Sequence, residues 1–191
     1  VLNIAKFSNV ENISLETDTP ATCKEIVIGA GCFWGVEKKF WDLPGVFLTS
    51  VGYSGGDTEN PSYEDVCYKE TNHTEVVKII YDPEIIDLKN LLKIFWECHD
   101  PTQGMRQGHD VGTQYRSAIY ASDDITLQVA IETKNIYQSE LQKNNLNKIT
   151  TEICIIKNFY LAEEYHQQYL AKNPNGYCGI GGTGCVFPNK I

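Results

Sequence analysis

Short β-branched runs and longer stretches of helical spacing take turns along this chain. Residues 25–30 read as a buried strand, and from Phe33 to Leu43 apolar positions recur at helical spacing. Pro44-Gly45 ends that helix, because proline disfavours helical backbone at the residue before it. A second strand is expected over 46–53, broken by Ser54-Gly55-Gly56. A long loop follows at 57–72, in which 60–66 suits one helical turn with Pro61 at its first position. The strand 74–81 alternates, with Glu75, Val77, Ile79 and Tyr81 on one face and Thr74, Val76, Lys78 and Ile80 on the other. Asp87 caps a helix over 88–98, whose Leu88, Leu91, Leu92, Phe95 and Trp96 form one broad apolar face. After a second loop at 100–112, a strand at 114–121 puts Tyr115, Ser117 and Ile119 on one side. The pattern then predicts a helix from Ser122 or Asp123 to Leu146, a strand at 150–156 and a helix at 162–172.

From 25 to 121 the order is strand, helix, strand, strand, helix, strand. That is the split βαβ order of a ferredoxin-like two-layer α/β sandwich, with an extra strand and helices added around it. One domain is expected over 24–172. The polar, weakly periodic residues 1–23 read as an extension, and 173–191, with five glycines from Gly176 to Gly184, as a mobile tail.

Charge and cysteines narrow the function. A net charge of −9 argues against nucleic acid or an anionic membrane as partner, and no run approaches the roughly 20 apolar residues of a membrane span. Seven cysteines, an odd number at irregular spacing and without a C-x-x-C pair, suit neither a closed disulfide framework nor a structural zinc site. Thiol chemistry in a reducing, cytoplasmic compartment fits them better. The chain begins at Val1, so a leader removed or trimmed is expected, although what remains has no signal-peptide pattern.

Cys32 falls where the first strand gives way to a helix. Free N–H groups and the helix dipole there favour a thiolate, the nucleophilic form; a small buried corner residue is the other reading. Glu75 points with the more apolar face of its strand, where lost hydration raises a carboxyl pKa, unless it simply reaches water at the strand end. Other leads fail. His73-Thr74-Glu75 lacks the P-C-x-x-C half of a zinc deaminase signature, and adjacent Cys98, His99 and Asp100 rarely converge on one metal. Gly29-Ala30-Gly31 lacks the third glycine of a dinucleotide fingerprint, and sequence places no imidazole beside Cys32 for Cys-His hydrolysis.

The chain also carries Gly31-Cys32-Phe33-Trp34-Gly35-Val36-Glu37, Val51-Gly52-Tyr53-Ser54-Gly55-Gly56, Asn60-Pro61-Ser62-Tyr63 and His73-Thr74-Glu75-Val76-Val77. Then follow Phe95-Trp96-Glu97-Cys98-His99-Asp100-Pro101, Gly112-Thr113-Gln114-Tyr115-Arg116-Ser117, Glu163-Glu164-Tyr165-His166-Gln167-Gln168-Tyr169-Leu170 and Gly176-Tyr177-Cys178-Gly179. These motifs make up a resemblance to the peptide methionine sulfoxide reductase A family that runs from about residue 25 to 184. It implies reduction of the S epimer of methionine sulfoxide, free or in proteins, with Cys32 as nucleophile and Glu75 as proton donor. Tyr63 and Tyr115 would hydrogen-bond the sulfoxide oxygen, Asp110 would polarise the site, and Phe33 and Trp34 would line the pocket for the substrate methyl group. Cys178 would resolve the Cys32 sulfenic acid as a disulfide that thioredoxin reduces. No bound cofactor or metal is implied, and a monomer is expected.

One departure concerns Cys185, the candidate second recycling cysteine. It directly follows Gly184 and precedes Val186, one residue out of the usual Gly-Val-Cys order. Cys67 stands where family members carry a cysteine without a required role, and Cys23, Cys98 and Cys154 read as packing or surface residues. The rival reading is a non-enzymatic thiol switch, in which oxidation of Cys32 moves the Cys178 arm. It needs neither Glu75 nor the tyrosines.

Overall fold

The computed structural model describes residues 18–189. Most of the expected N-terminal extension, 1–17, lies outside them. Its last residues turn, with the Cys23 N–H donating to the Pro20 carbonyl at 2.9 Å, and enter β1 (Lys24–Ala30). The elements that follow are α1 (Phe33–Trp41), β2 (Val46–Ser54), α2 (Tyr63–Tyr68), β3 (Thr74–Tyr81) and α3 (Leu88–Cys98). Then come β4 (Arg106–Gln107), β5 (Asp110–Val111), β6 (Ser117–Ala121), α4 (Asp124–Lys143), β7 (Glu152–Ile155), β8 (Tyr160–Leu161) and α5 (Tyr169–Lys172).

The main sheet runs β7-β6-β1-β3-β2-β8. Its inner four strands, β6-β1-β3-β2, are antiparallel neighbours in the order expected of a ferredoxin-like sandwich. β7 joins β6 in parallel and β8 joins β2 antiparallel. The register serves the site: Tyr53 lies opposite Glu75, and the run that pairs Ile28 with Val77 brings the end of β1 level with Glu75.

Val77, Ile79 and Tyr81 of β3 face one core cluster shared with Phe33, Val36 and Phe40 of α1, Leu91, Leu92, Phe95 and Trp96 of α3, and Ala130, Tyr137 and Leu141 of α4. Full burial of a side chain such as Phe95 contributes about 1.5–3 kcal/mol. Smaller clusters around Val76 and Ile80 cover the opposite face of the sheet, with Cys23 and Cys154 packed against them. Cys98 is buried, its thiol donating to the Phe95 carbonyl, and His99 uses its two ring nitrogens on the Phe95 carbonyl and Ser117 Oγ, both at 2.7 Å. The single methionine, Met105, lies exposed in the loop before β4.

Several elements differ from their sequence pattern. α2 begins only at Tyr63, because Ser62 and Asp65 form a reciprocal capping box that leaves Pro61 outside the helix. Tyr115 sits on a 3₁₀ turn, Thr113–Tyr115, so the strand starts at Ser117. α4 stops at Lys143, where Asn145 takes a left-handed conformation (φ 56°). Over 162–172, directly after β8, the expected helix is instead a 3₁₀ turn at Glu164–His166 and a single turn, α5. Tertiary hydrogen bonds override helical propensity there. The Gln167 side chain bonds both the N–H and the carbonyl of Val51, and Gln168, at φ 49°, donates its N–H to Glu37 Oε1 at 2.6 Å. Among the described residues the tail beyond α5 has no regular element, and it makes contacts with the body of the domain. The Phe187 N–H donates to Glu97 Oε1, the Tyr137 hydroxyl donates to the Cys185 carbonyl, and Phe187 is buried.

Glu37 is fully buried, and desolvation pushes its carboxyl up to about 7. It accepts from Thr49 Oγ1 as well as from Gln168. Glu37→Ala is expected to cost about 3 kcal/mol in urea unfolding, since it leaves two buried donors unpaired, whereas Glu37→Gln should stay within about 1 kcal/mol of the parent at pH 7.

Candidate active site

The corner between β1 and α1 is tight. Gly31 has φ +97°, and a Cβ there would meet the Gln107 side chain at 2.8 Å, so only glycine fits. Cys32 follows as the N-cap of α1, half-buried. The helix terminus leads one to expect a depressed thiol pKa; the structure gives the reverse. Burial pushes the Cys32 thiol up, and the charges of Glu75, Asp110 and Cys178 push the same way, while the Trp34 backbone N–H acts in the opposite direction. Desolvation outweighs the helix end, and Cys32 rests as a thiol.

Glu75 is 2 % exposed, which removes the reading of a strand-end carboxylate in water. Burial raises its carboxyl to about 8 and the Asp110 charge adds to this, against hydrogen bonds from the Phe33 N–H (3.1 Å to Oε1) and the Gln114 side chain. Below that pH it is a neutral acid. Tyr63 and Tyr115 are half-buried, and desolvation raises both phenols, so they stay protonated as donors. The Tyr63 N–H is held by Glu163 Oε2 at 3.1 Å, and its hydroxyl bonds Cys67; Glu75 and Cys32 are among the groups that raise Tyr115.

Aromatic rings wall the corner. Phe33 lies 5.8 Å from Tyr53 and 5.1 Å from His166, ring centre to ring centre. Trp34 stacks on Tyr169 at 3.8 Å and donates its Nε1–H to His166 Nδ1 at 3.0 Å. That bond places the imidazole proton on Nε2, which has no hydrogen-bond partner, and burial lowers the His166 pKa to about 4, so the ring is neutral. Asp110, half-buried on β5, accepts the Tyr177 hydroxyl at Oδ2 (2.9 Å).

The two tail cysteines are placed differently. Cys178 is exposed and its sulfur rests over α1, whereas Cys185 packs against the main core, its N–H donating to Thr183 Oγ1. All seven cysteines are free thiols. Gln114, Glu163, His166 and Tyr177 were not singled out from the sequence. Each acts through long-range contacts that periodicity does not register; only Tyr177, next to Cys178, carried a local hint. Among the described residues, no three His, Cys, Asp or Glu side chains are grouped to hold a metal ion.

A thiol, a neutral carboxylic acid and phenol donors meet around an aromatic-walled corner, the groups that a thiol enzyme with acid assistance would need. The chain belongs to the peptide methionine sulfoxide reductase family, whose model matches residues 24–184. It is 54% identical to a peptide methionine sulfoxide reductase MsrA of Ectopseudomonas mendocina over 187 residues, 98% of this chain and 85% of that one. Among solved structures, methionine sulfoxide reductase A of Corynebacterium diphtheriae superposes with a TM-score of 0.80 at 46% identity, covering 89% of this chain and 85% of that one. Mxr1 of Saccharomyces cerevisiae, crystallised in complex with Trx2, matches with a TM-score of 0.58 at 32% identity over 82% of this chain and 92% of that one. The expected family and fold class are borne out. No described helix is long and apolar enough to cross a membrane.

Proposed function

We propose that the chain reduces the S epimer of methionine sulfoxide, free or within oxidised proteins, to methionine. The observation that carries this reading is the neutral, buried Glu75 beside the Cys32 thiol. A sulfoxide is a weak electrophile until its oxygen takes a proton. Glu75 donates that proton, with Tyr63 and Tyr115 as further donors to the oxygen and Asp110 keeping Glu75 protonated. Cys32 Sγ attacks the substrate sulfur, and its own proton replaces the one Glu75 gave. Oxygen passes to Cys32, so the sulfoxide gains two electrons, the thiol loses two, methionine leaves, and Cys32 remains as a sulfenic acid. Phe33 and Trp34 hold the substrate methyl group.

Cys178 then condenses with the sulfenic acid to a disulfide, and thioredoxin reduces it; the yeast Mxr1–Trx2 complex supports that reductant. Cys185 serves as a second exchange thiol. A reducing, cytoplasmic setting suits this thiol chemistry, and we take the chain to be a monomer with no bound cofactor. The test is turnover of the two separated epimers of a methionine sulfoxide peptide with thioredoxin and its reductase. Consumption of the S epimer alone is the expected result. Release of no methionine from either epimer would overturn the reading and leave a thiol switch.

A further inference from the structure

Gly35 is the third residue of α1 and is buried. Glycine is a poor choice inside a helix, and no turn or positive φ calls for it here. What lies against it explains the choice. A Cβ on Gly35 would meet Cys178 Sγ at 3.0 Å, Ile180 Cβ at 3.6 Å and the Gly179 N at 3.7 Å, so all three nearest atoms belong to the tail. Residues three apart on a helix share a face, and Gly35 is three after Cys32. The tail is fixed on either side of this contact: the Tyr177 hydroxyl donates to Asp110 Oδ2 at 2.9 Å, and Ile180 packs on the main core.

We infer that Gly35 is the seat of the recycling segment, a positioning residue whose missing side chain lets Cys178 rest over the first turn of α1 on the face that carries Cys32. The inference rests on the proposal that Cys178 resolves the Cys32 sulfenic acid. In that step the Cys178 sulfur attacks Cys32 Sγ, an S–S bond forms and the S–O bond breaks. The hydroxyl leaves as water with the Cys178 proton. The oxidising equivalent comes from the sulfoxide already reduced, and no other oxidant is needed. A methyl group at Gly35 intrudes on the sulfur's place without touching the groups that act on the sulfoxide.

The experiment mixes the reduced chain with excess S-sulfoxide peptide in the absence of thioredoxin. It follows methionine released and, by acid quench, alkylation and mass spectrometry, the Cys32–Cys178 disulfide. For Gly35→Ala the first equivalent of methionine should appear at the parent rate. Disulfide formation should slow about tenfold, as expected for a displacement of a fraction of an ångström. Gly35→Val should be slower again. The Ala variant should also melt about 2 °C higher, because alanine suits a helix better, which separates a positioning effect from damage to the fold. Disulfide formation at the parent rate in both variants would overturn the inference, and so would loss of the first methionine equivalent in Gly35→Ala. If the parent releases methionine but forms no Cys32–Cys178 disulfide, the underlying role of Cys178 fails, and the inference fails with it.

Discussion

Cys32→Ser is expected to release no methionine, a loss of at least about 10⁴-fold, while Cys178→Ser releases one equivalent per chain in a single turnover with no external thiol present. A hydroxyl in place of the thiol offers neither the nucleophilicity nor the two-electron chemistry that turns Cys32 into a sulfenic acid. The loss is chemical and not structural. Serine is among the best N-cap residues, and Cys32 occupies the N-cap of α1, so the Ser variant should melt within a few degrees of the parent. In Cys178→Ser the corner is intact, but nothing lies over α1 to take the sulfenic acid forward. Chromatographic counting of methionine against chain, with a parallel thiol titration, separates the two: zero equivalents for one, one equivalent and then arrest for the other. More than one equivalent from Cys178→Ser under these conditions would mean that another thiol of the chain replaces it.

Glu75→Gln is expected to lower methionine release by about 10²–10³-fold, the range general acids supply. The amide keeps the shape and still accepts the Phe33 N–H, but has no acidic proton to give. Peroxide oxidation of Cys32 should survive, since it needs no sulfoxide protonation; equal loss of both activities would remove Glu75 from its role. The pH dependence carries the same signature. Because the carboxyl sits near 8, methionine release in the parent should decline as pH rises through about 8, and in Glu75→Gln that decline should vanish. Stability moves in a definite direction. The folded carboxyl titrates near 8 and an unfolded one near 4.5, so the folded chain holds more protons between these values, and stability is lost as pH rises across that window. The Gln variant does not titrate there. Its melting temperature should gain on the parent between pH 5 and 8, with no further gain above.

The order of the four inner strands and two helices was legible because each carried a strong local signal. β1, β2 and β3 are β-branched runs, Asp87 caps α3, and Pro44-Gly45 closes off α1. Glu75 was legible for the same reason, as alternation in β3 assigned it to the core face. Local patterns failed where distant groups decide the backbone. Nothing in Glu163–Leu170 announces that Glu37 and Val51 will capture Gln168 and Gln167 and break a helix-forming stretch. The helix end alone points the Cys32 thiol pKa downward because it is a local feature, whereas the burial and the neighbouring groups that raise it are assembled from β3, β5 and the tail. The tail shows the same limit: the hydrogen bonds of Phe187 to Glu97 and of Tyr137 to Cys185 span a sequence gap that composition cannot see. Gly35 left a clue, being a glycine inside an otherwise regular helical pattern, which usually marks a close packing contact.

The one methionine of the chain stands in the loop before β4, outside every cluster that packs the sheet. Oxidation of a buried methionine sets a polar S=O group among apolar neighbours and loosens them. Here Ile, Val, Leu and aromatic side chains fill the space that methionine occupies in many cores. An oxidant burst that litters other proteins with sulfoxide therefore finds no methionine inside the packed clusters of this one.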